Sequence, residues 1–366
     1  MHLNVSRIQT SPIHALVARR SLRTQVDVAR ELAALLPSVQ DVLAGSPLAL
    51  AIGFPRDGLT DYDLAFPVDH PLEREGFTHK TLPVVPMFSI THRGSLDEAS
   101  EDEGTLNATW QRFIAYIRQH KPLLGDDPQR FVYHAGLDSL GSENEHVVLE
   151  IQVPYHWPLW LGAFERGVNA SLDREEAAHV LAGSQDLVGE PDGERAAAWV
   201  QAAIDKLDGA VADDATRARI LNPCAHHYIV QSAELMQTLW ERAGKDLRTL
   251  VDLITAESAF GSAYWIDETG PEPLLMIRRR PARMEAYEKA VDPVEKRYHA
   301  CFCPLVREAI RDGKSVSRTF CHCSSGWFVQ EWRIVFGEDP DVRLVETLLD
   351  GADACVFAVK IPPGFL

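Results

Sequence analysis

No run of 18 apolar residues occurs in this 366-residue chain, so a membrane-spanning helix is not expected. The first residues, Met-His-Leu-Asn-Val-Ser-Arg, lack the apolar core of a secretory signal. No cysteine precedes Cys224, and there are six in all. Without a signal, that usage points to the cytoplasm and its reduced thiols rather than to a disulfide framework. Basic residues are scarce, 36 against 53 acids, for a net charge of −17. Such a balance argues against direct nucleic-acid binding, which needs positive charge along the phosphate backbone. The densest basic run, Arg278-Arg279-Arg280, is followed by Pro281 and reads as a solvated turn. There is no Gly-x-Ser-x-Gly elbow, no Walker loop, no dinucleotide fingerprint and no His-Glu-x-x-His. Nucleotide-based and serine-based chemistry therefore has little support.

What is present is a repeat. Residues 62–71 read Tyr-Asp-Leu-Ala-Phe-Pro-Val-Asp-His-Pro, and 149–158 read Leu-Glu-Ile-Gln-Val-Pro-Tyr-His-Trp-Pro. Each has an acid four residues before a proline, then a His and a second Pro. Alternation makes both strands. Val147, Leu149, Ile151 and Val153 would share the face that packs on helices. Val148, Glu150, Gln152 and Pro154 would face a cleft or water. The elements before each copy match as well. Strands are expected at His14–Leu22, Pro47–Phe54 and Tyr62–Pro67, with a helix over Val26–Ala44. Strands at Val84–His92, Arg130–Gly136 and His146–Pro154, with a helix over Leu106–Arg118, follow. The order is strand-helix-strand-strand, twice, and a cleft between the copies would hold Asp63 and Glu150 at equivalent positions.

These residues resemble the GyrI-like, or bacterial effector-binding, domain. The resemblance rests on Asp61-Tyr62-Asp63-Leu64-Ala65-Phe66-Pro67-Val68, Thr91-His92-Arg93-Gly94, Trp110, Tyr133 and Glu150-Ile151-Gln152-Val153-Pro154, and covers roughly residues 5–158. It implies a receptor for hydrophobic, often cationic, small molecules held by aromatics and one buried acid. On that reading Glu150 is the acid, Asp63 its repeat mate, and Phe54, Tyr62, Trp110 and Tyr133 supply cation–π attraction of about 0.5–2 kcal/mol. Some relatives hydrolyse strained or electrophilic rings, so a hydrolase using Glu150 as general acid or base is the alternative. Relatives often sit behind a DNA-binding helix-turn-helix. Here the first strand is expected near residue 13, which leaves no room for one upstream.

The expected organisation is a receptor domain over 1–160, a helical connection over 161–195 and a Cys/His-rich domain over 196–366. The whole is an α/β (α+β) chain: a duplicated unit on an antiparallel sheet, then a second mixed α/β domain. All six cysteines fall in the last part. Cys301, Cys303, Cys321 and Cys323, with His322, form a set that can bind zinc. The spacing is Cys-x-Cys rather than Cys-x-x-Cys, and on a strand Cys321 and Cys323 would stand roughly 6.6–7 Å apart. Small buried core thiols and an activated nucleophile are the other two readings. The segments Phe320-Cys321-His322-Cys323-Ser324-Ser325-Gly326-Trp327, Val345–Gly351 and Cys355-Val356-Phe357-Ala358-Val359 resemble 4-vinyl reductase-like and aminothiazoline-carboxylate-hydrolase-like domains. That resemblance implies a second small-molecule-binding α/β domain, which would bind a ligand or a metal, or couple binding to a homodimer.

Overall fold

The computed structural model describes residues 5–141, 145–188, 192–257 and 260–366; for 53–56 and 230–231 only the backbone is described. The chain divides into two compact units, Met1–His156 and Trp157–Leu366. The fold is mixed α/β with two antiparallel sheets of eight and four strands, as the alternation and periodicity indicate.

The first unit runs β1 (Ser6–Gln9), β2 (Ile13–Leu22), α1 (Gln25–Leu35), β3 (Leu48–Arg56), β4 (Leu59–Val68), β5 (Thr78–Leu82), β6 (Pro86–Gly94), α2 (Leu106–His120), β7 (Gln129–Ala135) and β8 (Val147–Pro154). The expected helix over Val26–Ala44 is shorter. Thr24 starts it through a capping box with Asp27. Pro37 lacks the N–H that would continue it, and the chain leaves through a single 3-10 turn at Leu36–Ser38. Thr105 caps α2, and Lys121 ends it in the left-handed region.

The strand order is β1-β6-β8-β7-β3-β4-β2-β5. The copies β2-α1-β3-β4 and β6-α2-β7-β8 therefore meet edge to edge. β3 pairs with β7 through Leu48↔Val132 and Leu50↔Arg130, and one continuous sheet results. Both helices lie on the same side. Tyr62 and Tyr133 reach Gln25 of α1, while His92 reaches Thr109 and Phe88 meets Tyr116, both on α2. Leu149 and Ile151 are fully buried on this side, as their alternation requires.

The second unit carries α3 (Trp157–Ser171), α4 (Arg174–Val180), α5 (Gly193–Ala210), α6 (Asp214–Leu221), α7 (Val230–Arg242) and α8 (Leu247–Ala256). Then come β9 (Ser262–Asp267), β10 (Leu274–Arg279), α9 (Met284–Lys289), α10 (Pro293–Ala300), α11 (Pro304–Arg311), α12 (His322–Phe336), β11 (Val342–Glu346) and β12 (Val356–Lys360). Residues 161–195 thus lie inside this unit, where they contribute to α3, α4 and the start of α5. The sheet order is β11-β12-β10-β9. α12 packs on it through Phe328 against Phe357 (ring centroids 4.7 Å) and Trp332 against Tyr264 (6.0 Å). Cys321 ends a 3-10 turn and Cys323 lies in the first turn of α12, so neither stands on a strand.

Candidate functional site

The face of the eight-stranded sheet that turns away from the helices carries both repeat acids. Strand register sets its composition. One row runs Thr91, Glu150, Val132, Leu48, Ala65 and Val17 across β6, β8, β7, β3, β4 and β2. The next runs Ser89, Gln152, Arg130, Leu50, Asp63 and Arg19. Directly opposed residues on paired strands share a face. In the first copy this face is apolar and buried: Ala15, Val17, Leu48, Leu50, Ile52, Ala65 and Leu82 form one cluster, with Val132 packed against it. Val132 is the register partner of Glu150, so the carboxylate borders the apolar cluster.

The two acids have different surroundings. Asp63 is buried and receives Arg19 Nε at 2.8 Å and Lys80 Nζ at 2.7 Å. Burial pushes its carboxyl up, but the two cations outweigh it and hold the group below the ordinary aspartate range. Glu150 is half-buried. Its Oε1 accepts from Ser89 Oγ and from Gln152 Nε2 at 3.0 Å. Its Oε2 meets His134 Nε2 at 3.1 Å, and Ser46 Oγ lies 3.2 Å from the other ring nitrogen of His134. Burial again raises the carboxyl, and these hydrogen bonds outweigh it and hold the group below the ordinary glutamate range. Among the described residues, no lysine or arginine stands at ion-pair distance from Glu150. Thr91 occupies the register position where Asp63 has Arg19. Arg130, in the adjacent row, donates from Nη2 to the Pro83 carbonyl at 2.8 Å instead.

The expected aromatic cage does not gather around Glu150. Tyr62 and Tyr133 are buried on the helix side, one residue out of phase with Asp63 and Val132, because strand side chains alternate. Their hydroxyls share Gln25: its Nε2 donates to Tyr62 at 3.1 Å, and Tyr133 donates to its Oε1 at 2.7 Å. Burial pushes the Tyr62 phenol up to about 12. Trp110 stands on α2, its ring 5.8 Å from Phe113. Phe54 lies on β3 with its side chain outside the described residues. Ser89, His134 and Arg130 are absent from the sequence-based set. His134 was reachable in principle, since it stands two residues past Val132.

Of the three readings of Cys301, Cys303, Cys321, Cys323 and His322, the zinc site finds no ligand set among the described residues. Among the described residues, no group of three or more His, Cys, Asp or Glu side chains is arranged to hold a metal ion. His322 turns its Nε2 to Asp214 Oδ1 at 3.0 Å, because the helix begins at His322 rather than the segment running on as a strand. All six cysteines are free. Burial pushes the Cys301 and Cys303 thiols well up and the Cys323 thiol up to about 12.

No family model matches the chain, and no curated protein does. Solved structures do align. The EcmrR C-terminal domain matches with 11% identity and a TM-score of 0.33, covering 42% of this chain and 98% of that one. SAV2435, solved bound to tetraphenylphosphonium, matches with 16% identity and a TM-score of 0.33, covering 42% and 94%. A putative bacterial transcription regulation protein from Staphylococcus aureus MU50 matches with 14% identity and a TM-score of 0.30, covering 42% and 99%. No helix among the described residues is long and apolar enough to cross a membrane.

Proposed function

We propose that the first unit is a GyrI-like receptor for a hydrophobic cation, with Glu150 as the counter-charge. One observation carries this reading. Glu150 keeps an ionised carboxylate beside a buried apolar cluster and has no lysine or arginine partner among the described residues, whereas its repeat mate Asp63 is neutralised twice. A partly desolvated anion whose one ion-pair partner among the described residues is His134, charged only when protonated, favours a cationic guest, and the neighbouring Leu48, Leu50 and Val132 favour an apolar one. The protein would act as a cytosolic sensor or sequestering receptor, with its acidity supporting steering of cations. A hydrolase in which Glu150 donates a proton fits less well, because the same hydrogen bonds keep its carboxyl ionised at neutral pH.

The test is titration of the full chain with tetraphenylphosphonium. Glu150→Gln should weaken binding at least tenfold, about 1.4 kcal/mol, because it removes the charge while keeping the size of the side chain. An unchanged affinity in the variant, or no binding by the wild type, refutes the proposal.

A further inference from the structure

The residue before β12 is a cysteine, and strand register gives it a cation. Arg278 of β10 opposes Val356 of β12, and the Arg279 N–H donates to the Cys355 carbonyl at 3.0 Å. Arg279 and Cys355 are therefore directly opposed and share a face of the sheet. It is the face that carries Phe357, against which α12 packs. Cys321 ends the 3-10 turn that leads into α12, and Cys355 packs against the same core cluster. The Cys321 thiol donates a hydrogen bond to the Cys355 sulfur, which also accepts from the Leu348 backbone N–H. Cys355 is partly exposed and Cys321 is buried behind it.

The charges around this corner favour a thiolate on Cys355. The Arg279 guanidinium lies over the Phe302 ring, 4.0 Å from the centroid. Asp350 opposes it, but its Oδ2 is tied to Arg318 Nη1 at 3.3 Å. Glu331 of α12 feels the same guanidinium. It is fully buried, accepts from the Tyr228 hydroxyl at 3.0 Å, and is pushed by burial up to about 7, so near neutrality it offsets only part of the Arg279 charge. The hydrogen bond from Cys321 lowers the Cys355 thiol against the effect of burial, with the Leu348 N–H and Arg279 adding to it. The same bond, with burial, pushes the Cys321 thiol well up. The other thiols are held differently. Cys224 donates to the Ile220 carbonyl at 3.7 Å and Cys301 to the Cys303 carbonyl at 3.9 Å, while burial keeps Cys303 and Cys323 protonated.

A solvent-reachable sulfur with a resolving thiol in contact is the arrangement that peroxides oxidise. We propose that Cys355 and Cys321 form a reversible disulfide on reaction with hydroperoxides, Cys355 attacking and Cys321 resolving. The Cys355 thiolate attacks the terminal peroxide oxygen. The O–O bond breaks, the second oxygen leaves as hydroxide or alkoxide and takes a proton from water, and Cys355 becomes a sulfenic acid. The Cys321 sulfur then attacks the Cys355 sulfur. Its proton goes to the departing hydroxyl, which leaves as water, and the S–S bond closes. The two sulfurs lose the electron pair that the peroxide gains, and a small thiol reductant reverses the bond. The bond ties the start of α12 to the start of β12. The pair lies wholly in the second unit and does not depend on the reading of Glu150.

The experiment treats the reduced full chain with hydrogen peroxide near neutral pH, then alkylates it for intact mass and peptide mapping. Two of the six thiols should disappear together, at least about tenfold faster than the rest. One peptide should join Cys321 to Cys355, and dithiothreitol should restore both thiols. Cys321→Ser, whose hydroxyl keeps a donor beside Cys355, should leave a sulfenic acid on Cys355 that dimedone captures. Cys355→Ser should abolish the fast phase. Loss of all thiols at one rate, a bond from Cys355 to Cys301 instead, or fast oxidation persisting in Cys355→Ser overturns the proposal. The wild-type map stands even where a variant fails to fold.

Discussion

Replacing Glu331 by Gln should change how stability depends on pH, and the direction is fixed. In the folded chain the acid stays protonated up to about 7, whereas an ordinary glutamic acid ionises near 4.5. Between those values the folded state holds a proton that the unfolded chain has lost. The stability this supplies is complete below 4.5 and is lost as pH rises through about 7. The gap spans about 2.5 pH units, each worth about 1.4 kcal/mol, so the loss approaches roughly 3 kcal/mol. Glutamine cannot titrate, so the variant lacks this slope. Its stability relative to wild type should rise by roughly 3 kcal/mol between about pH 4.5 and pH 8. Urea unfolding followed by tryptophan fluorescence reads this out. Of the eight tryptophans only Trp110 lies in the first unit, so the signal reports the unit that contains Glu331. Taking the difference between variant and wild type at each pH removes every other titrating group. A difference that stays flat across the range would refute both the burial of this acid and its raised protonation.

Three further outcomes are expected. Asp63→Asn leaves Arg19 and Lys80 without their shared carboxylate and should cost about 1–2 kcal/mol. The figure is below that for a fully buried pair, because the two cations keep 37% and 38% of their side-chain surface exposed. The wild-type advantage should be present above 3.8, the ordinary aspartate value, and disappear as pH falls through the lower folded value, which acid denaturation can follow. Gly326→Ala should destabilise the second unit by roughly 1–3 kcal/mol in thermal melts, because the added Cβ would stand 1.9 Å from the Asn222 carbonyl oxygen. A melt unchanged from wild type would disprove that close approach. With a disulfide reagent at about pH 8, Cys355 should react ahead of the other thiols, since its hydrogen bond with Cys321 holds it below the ordinary value. All six should titrate in denaturant.

Local pattern alone determined a good deal here. The order strand-helix-strand-strand, written twice, follows from alternation and helical spacing, which are properties of neighbouring residues. The same period of two placed Glu150 opposite Leu149 and Ile151, and the structure keeps that division. Pro37, also visible in the sequence, was enough to shorten α1. Partners were another matter. Arg19 and Lys80 reach Asp63 from 44 and 17 residues away, and Ser89 reaches Glu150 from 61. Strand order and register choose those contacts, and no local pattern encodes them. Only the tertiary structure separated the tyrosines from the acids, since a shift of one residue changes the face. It also turned the Cys321–Cys323 segment into a helix start. Glu331 shows the limit most plainly. Along the chain it is one polar residue between Gln330 and Trp332, and it becomes a buried acid because α12 lies against a sheet whose strands come from both sides of it in sequence.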